Sequence, residues 1–352
     1  MIETRSTHPA LVIIKNGCQS LVTDLQPLSP SNPLNHTELW YGVWHSTHSP
    51  PTAVVVKQLL PHFNATNLAH FEQEINALHH CQSLAIYSTH ATSGIPTLYA
   101  SNLLPDTLIF DQQQPQQSVS PCLIMSYHPG ETLKSLIYAH AKLPILNLPQ
   151  KMTIFLHSCQ VVNRLHQFGL MHLDLKPANF IVKPNLEVVL IDFGLSDFSF
   201  SDIGVSDAMG KNASLNCKTY TAGTPAYMSP EQFTGQTVDK FSDYYSLGVV
   251  WYELLMGCLP FMANDYPGWA IAHCQQPVPF LCPNHQLSEF ACQACQPFID
   301  KLLAKRVENR INDLANIINA LKFYLTNKKM RFFLKTPCQS EIFLYNSQPQ
   351  RH

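Results

Sequence analysis

Met171 to Gly194 reads MHLDLKPANFIVKPNLEVVLIDFG, and two short apolar runs inside it decide its local shape. Asn179-Phe180-Ile181-Val182 and Val188-Val189-Leu190-Ile191 are partly β-branched, and Lys183-Pro184-Asn185 between them is turn chemistry, so the stretch predicts a strand hairpin. Asp174 and Asn179 then lie on the loop entering the first strand and Asp192 leaves the second, which predicts three polar side chains at one end of the pair. A single Asp on a loop is commonly a solvated turn or a helix cap. Two carboxylates and an amide beside buried strands need a polar partner, and a magnesium-bound phosphate is one that fits.

Composition narrows what the rest of the chain can be. With 352 residues, 45% of them hydrophobic, there is enough apolar surface for a globular protein of two or three lobes. A net charge of −2 and 13% charged residues leave no basic stripe for nucleic acid, and the KKMR run at 328–331 is too short to supply one. The first residues, MIETRSTHPALVIIKNG, lack the basic start and long apolar run of a secretory signal, so a cytoplasmic location without a membrane partner is expected. The apolar run from Tyr244 to Ala263 is broken by Glu253, Gly257 and Pro260, which predicts a buried core helix in preference to a bilayer span. Eleven cysteines without framework-like spacing predict reduced thiols.

In chain order, residues 1–27 read as an N-terminal extension. Leu39 to Trp44 and Ala53 to Lys57 are β-rich runs joined by turn residues, an antiparallel hairpin whose terminal Lys57 could be a plain edge lysine. Leu68, Phe71, Ile75 and Leu78 recur at helical spacing, with Glu74 near that apolar face and Glu72 roughly 160° around the axis from it. Asp111 to Ser120, DQQQPQQSVS, reads as a surface loop, and Pro121 to Tyr127 as a buried strand. A helix is expected from about residue 150 to Phe168, stopped by Gly169. Near the end, His273, Cys274, Cys282, His285, Cys292 and Cys295 crowd together, and Cys292-Gln-Ala-Cys295 has zinc-type spacing. The competing reading is a short helix over 288–296, ended by Pro297, on which two cysteines share an apolar face; a metal assay separates the two.

His172-Leu173-Asp174-Leu175-Lys176-Pro177-Ala178-Asn179, followed by Asp192-Phe193-Gly194, resembles the catalytic loop and metal motif of eukaryotic-type (Hanks-type) Ser/Thr protein kinases. The resemblance covers residues 28–325, leaves 326–352 as a tail, and implies an α+β, bilobal kinase fold. In it a small antiparallel-sheet lobe (28–128) and a larger, mainly helical lobe (129–325) hold ATP in the cleft between them. It implies that Asp174 orients a Ser or Thr hydroxyl of a protein substrate and accepts its proton, that Lys176 neutralises the γ-phosphate, and that Thr224 in GTPAY ties the two together. It also implies that Lys57 clamps the α and β phosphates and pairs with Glu74, and that Asn179 and Asp192 hold Mg2+. Leu39, Val55, the gatekeeper Met125, the hinge from Ser126 to His128 and Ile181 would line the nucleotide, although Met125 and Ile181 also read as ordinary core. Gly223 to Glu231, GTPAYMSPE, resembles the anchor of the family's activation segment, with Arg310 placed to pair with Glu231 and Asp243 placed to brace the catalytic-loop backbone.

Three departures from that pattern carry expectations. Residues 29–38, SPSNPLNHTE, stand where a glycine-rich phosphate loop is usual and contain no glycine, which predicts weak ATP binding or a differently shaped loop. A pseudokinase scaffold with weak nucleotide binding is the rival reading that this loop favours. Val55 stands where alanine is usual above the adenine, and two extra methyl groups crowd that place. Leu173 replaces the arginine that grips a phosphorylated activation segment, so alanine at both Thr219 and Thr221 is expected to leave turnover nearly unchanged, and a hundredfold loss on dephosphorylation would contradict it.

Overall fold

Val54 and Val56 face one side of their strand and Val55 and Lys57 the other, and this period of two organises the first of two compact units in the computed structural model. The structure describes residues 10–28, 36–47, 49–85, 93–113, 119–138, 146–198, 223–283 and 287–327. The first unit takes in residues up to Pro129 together with Ile191–Ser196, and the second takes in Gly130–Leu190 and the chain from Asp197 onward.

The first unit is an antiparallel sheet of seven strands with one long helix. Its strands are β1 (Leu11–Lys15), β2 (Cys18–Pro27), β3 (Thr37–Ser46), β4 (Ser49–Leu59), β5 (Leu98–Ser101), β6 (Thr107–Asp111) and β7 (Cys122–Ser126), in the order β5-β7-β4-β3-β2-β1-β6. Helix α1 (Ala65–Ala85) lies between β4 and β5 in the chain and buries Phe71, Ile75 and Leu78 at the spacing read from sequence. Ile13, Val22, Trp44, Val54, Val56 and Ile124 form the core on one face of the sheet.

Residues 11–27, expected to belong to an N-terminal extension, are instead integral to this sheet. β1 pairs with β2 on one side and with β6 on the other, and β2 continues into pairing with β3 as far as Pro27 opposite Trp40. A boundary at residue 28 therefore falls at the end of a paired strand. The physical reason is burial: Val12, Ile13 and Val22 are all buried, and each would forfeit roughly 1.5–3 kcal/mol if the segment were an exposed appendage. Residues 1–9 and the glutamines at 114, 116 and 117 lie outside the described residues.

The second unit is mainly helical. It begins with β8 (Glu131–Thr132) and α2 (Leu133–Tyr138), then α3 (Leu148–Gln167), β9 (Leu170–Met171), β10 (Phe180–Val182), β11 (Val188–Leu190) and β12 (Asp197–Phe198). The helices α4 (Pro230–Thr234), α5 (Lys240–Met256), α6 (Tyr266–Gln275), α7 (Glu289–Leu302) and α8 (Leu314–Thr326) follow. The β10–β11 hairpin forms in the register that its apolar runs dictate, Phe180 opposite Leu190 and Val182 opposite Val188. Glu131-Thr132 pairs with β10 just before α2 begins at Leu133, and the preceding Gly130 explains the fit: a Cβ there would come within 2.3 Å of the Val182 carbonyl oxygen. Helix α5 is buried along almost its whole length, as the apolar run from Tyr244 predicts, and no helix among the described residues is long and apolar enough to cross a membrane.

The short helix expected to end before Pro297 is longer than that. α7 runs from its cap at Ser288 through Pro297 to Leu302, because Ile299 and Leu302, both fully buried, lie beyond the proline and their burial offsets the missing backbone bond. Cys292 and Cys295 are both buried on one face of it, whereas Cys282 is exposed and His285 lies outside the described residues. Among the described residues, no three His, Cys, Asp or Glu side chains gather as a metal site.

His273, the histidine of that cluster on α6, is instead enclosed by rings. Its Nδ1 lies 3.0 Å from the Tyr245 hydroxyl, and Phe233, Phe261 and Trp269 surround the imidazole. Burial, with the Lys305 ammonium adding to it, pushes its pKa down to about 3. The unfolded chain takes up a proton near the ordinary value of 6.5 that the fold refuses, so stability is lost as pH falls from there toward 3. Between pH 7 and 5 this group alone is expected to remove about 2 kcal/mol. Urea unfolding at the two pH values checks this: His273→Gln should flatten the dependence, and an unchanged slope would contradict the assignment.

Candidate active site

Asp174 is held by the segment that leads into it. The short strand β9 delivers the chain to His172 and Leu173, whose N–H groups donate to Asp243 Oδ2 and Oδ1, each at 2.8 Å. Asp243 is fully buried on α5, and His166 donates from Nε2 to its Oδ2 over 2.7 Å from the last turn of α3. Burial pushes the Asp243 carboxyl up, but His166 and the loop amides outweigh it and hold it below the ordinary carboxylate value. Leu173 sits at a φ of 63°, a conformation that costs a leucine of order 1–3 kcal/mol. Both its backbone groups are gripped by side chains, the amide by Asp243 and the carbonyl by Gln232 Nε2 at 3.1 Å, and its own side chain is buried with Met171 and Val238. Where an arginine would offer charge, this chain has an apolar plug.

Asp174, Lys176 and Thr224 come together as one hydrogen-bonded group. Lys176 Nζ lies 2.5 Å from Asp174 Oδ2 and donates to Thr224 Oγ1 at 3.0 Å. Thr224 donates its N–H and its hydroxyl to Asp174 Oδ1, at 2.9 and 2.8 Å. Asn179 ends a 3-10 turn over Pro177–Asn179 and donates from its amide nitrogen to the Asp174 carbonyl at 3.0 Å; its amide oxygen is of the hard type that could hold magnesium. Ile181 is the middle residue of β10, half-buried, opposite Val189 and Thr132.

In the first unit, strand register sets four of the expected residues on one face of the sheet: Leu39 lies opposite Lys57, and Val55 opposite Met125. Lys57 Nζ donates to Glu74 Oε2 at 2.6 Å and to Asp192 Oδ1 at 3.3 Å. Of the two glutamates weighed on α1, Glu74 is buried against Lys57 while Glu72 is exposed. Burial pushes the Lys57 ammonium down, but the Glu74 and Asp192 carboxylates outweigh it and hold the lysine protonated, above its ordinary value. Asp192 has a φ of 66°, a strained conformation of the kind that clusters at functional sites. At the hinge, the Ser126 amide donates to the Thr97 carbonyl at 2.9 Å and the Tyr127 amide to Ala53 at 3.1 Å, so neither is available to read a base. The Ser126 hydroxyl lies 2.8 Å from His128 Nε2. Residues 29–35 of the glycine-free loop, Thr219 and Thr221 lie outside the described residues.

Three residues that hold this machinery were not picked out from sequence. His166 braces Asp243, and Gln232 ties α4 to the Leu173 carbonyl; no spacing signals either. Glu253 did carry a signal, a charge inside an apolar helix. It is buried on α5 and accepts hydrogen bonds from the hydroxyls of Tyr138 and, at 2.7 Å, Tyr227 of the GTPAY segment. Arg310 meets Glu231 with two bonds, at 2.8 and 3.2 Å.

Within the first unit, then, a protonated lysine is locked by two carboxylates, and within the second a carboxylate, a lysine and a threonine hydroxyl form one hydrogen-bonded group. Residues 52–324 match the family model described as the protein kinase domain. The chain is 32% identical over 213 residues to the serine/threonine-protein kinase PknB of Mycobacterium leprae, covering 59% of this chain and 31% of that protein. It is 35% identical over 202 residues to PknB of Mycolicibacterium smegmatis, covering 56% and 29%. It is also 28% identical over 274 residues to the serine/threonine-protein kinase drp72 of Corynebacterium efficiens, covering 76% and 46%. The chain thus spans about a third to a half of the length of these curated relatives. With the family model matched across most of its length and the Asp174 and Lys57 groups built as described, the chain belongs to the protein kinase family, in its eukaryotic-type (Hanks-type) Ser/Thr branch.

Proposed function

We propose that this chain transfers the γ-phosphate of ATP to a Ser or Thr hydroxyl of a protein, with magnesium. Members of the protein kinase family use ATP and Mg2+ and act on proteins. The observation that carries the reading is the group built on Asp174: its carboxylate is held by Thr224 at 2.8 Å and by Lys176 at 2.5 Å, a geometry suited to orient a hydroxyl and take its proton. Lys176, two residues on, neutralises charge as the phosphoryl group moves. Lys57, aimed by Glu74, holds the α and β phosphates. Asn179 and Asp192 would supply oxygen ligands for magnesium, which would help neutralise the phosphate charge when bound. Leu39, Val55, Met125, Ser126, His128 and Ile181 are assigned to the nucleotide. The relatives named as Ser/Thr kinases and the GTPAYMSPE segment support a protein substrate. The catalytic domain is taken to run from β1 to residue 325, with 326–352 as a tail.

The test is transfer of labelled γ-phosphate to a generic Ser/Thr protein substrate in the presence of magnesium, comparing the wild type with Asp192→Ala. Transfer by the wild type and its loss in the variant are expected. Equal signals from the two would remove the enzyme reading and leave the scaffold.

A further inference from the structure

We infer that His36 and His70 donate to the terminal phosphate of the nucleotide, supplying through side chains what a glycine-rich loop supplies through its backbone. This deepens the reading of the chain as an ATP-dependent kinase and rests on it.

The first unit contains a cavity of about 190 Å³ whose floor holds Lys57, Glu74 and Asp192 and whose rim includes His36, Thr37 and His70. Its size decides what enters. Pockets that enclose a whole drug-sized ligand run to roughly 300–1,000 Å³, so this one takes a phosphate group and its ion and leaves the base and sugar outside. Its electrostatics agree, because Glu74 is committed to Lys57 at 2.6 Å and the lysine stays protonated. Lys57 therefore offers a cation there beside the Asp192 carboxylate, and His36, His70 and Thr37 offer N–H and O–H donors. An imidazole presents at least one N–H in either tautomer, and Thr37 adds a hydroxyl.

Both histidines are placed there by local structure. His70 lies four residues before Glu74 on α1, so the helix face that turns Glu74 toward Lys57 turns His70 toward the same cavity. The backbone at His70 also packs tightly on the metal-motif segment: a Cβ at Gly194 would stand 3.3 Å from the His70 carbonyl oxygen. His36 is the residue at which the glycine-free loop re-enters the sheet, just before β3. Its carbonyl accepts from the Leu60 amide at 2.9 Å, and its ring packs on that of His62 with 5.8 Å between centroids. Both imidazoles are exposed at the mouth, where an entering phosphate passes them.

Calorimetric titration of the full chain with ATP and with ADP, both with magnesium, tests this. The double variant His36→Ala/His70→Ala is expected to lose about tenfold or more in affinity for ATP while ADP binding changes by less than about twofold. The variant His36→Gln/His70→Gln, which keeps an N–H donor at each place, should retain most of the preference for ATP, and matching melting curves confirm that all three proteins are folded. A wild type that binds ATP, with a double-alanine variant that binds it as well or that loses ATP and ADP alike, overturns this inference and leaves the kinase reading standing. A wild type that binds neither nucleotide overturns that reading, and this inference with it.

Discussion

Asp174→Ala is expected to lower turnover by about 10²–10⁴-fold with little change in the KM for ATP, the range that removal of a positioned general base produces. The carboxylate contributes in two ways. On the proposed function it would receive the substrate proton, and it is the acceptor around which Lys176 and Thr224 are arranged, with two bonds from Thr224 and one from Lys176. Alanine removes both. Asp174→Asn separates them, because the amide oxygen can still accept from Thr224 but the group no longer takes a proton. Steady-state kinetics on both variants, with melting curves to establish folding, check the assignment. An asparagine variant as active as the wild type would show that Asp174 only positions its neighbours.

Arg310→Ala is expected to cost about 3–5 kcal/mol of stability, the penalty for leaving a buried carboxylate without its partner. Glu231 and Arg310 are both nearly fully buried, and the guanidinium also donates to the carbonyls of Phe241 and Ala304. Burial pushes the Glu231 carboxyl up, while Arg310 and the Ser242 hydroxyl pull it further down, so it lies below its ordinary value. A carboxylate depressed in this way stabilises the fold at pH above its unfolded pKa, and that contribution is lost as pH falls toward the folded one. Urea unfolding measures the cost as a lower midpoint for the transition of the second unit. Arg310→Met combined with Glu231→Leu should recover much of the loss, since an apolar pair leaves no charge stranded. A single variant as stable as the wild type would mean that water reaches Glu231.

The division between what sequence and tertiary structure decided follows from the range of the interactions involved. The β10–β11 hairpin, α1 with Glu74 on its buried side, and the buried length of α5 are written in local periodicity, because burying one face of a strand or helix needs only residues two, three or four apart. The residue types at Asp174, Lys176, Asn179 and Asp192 were legible for the same local reason, being set at fixed offsets along one stretch. What lay far apart in the chain was not legible. The pairing of β1 with β6 joins residues 11–15 to 107–111, and nothing in either run names the other, so a segment that reads as an extension belongs to the paired interior of the sheet. Pro297 stops a helix on local grounds, yet the buried Ile299 and Leu302 carry α7 past it. His166, Gln232 and Glu253 hold their places by meeting groups 59 to 115 residues away. By itself, the sequence determined which chemistry Met171 to Gly194 can carry and that Leu173 brings no charge to it. Only the tertiary structure decided how that loop is held, with a strained Leu173 gripped by Asp243 and Gln232, because satisfying a buried backbone requires donors and acceptors that the loop does not itself contain.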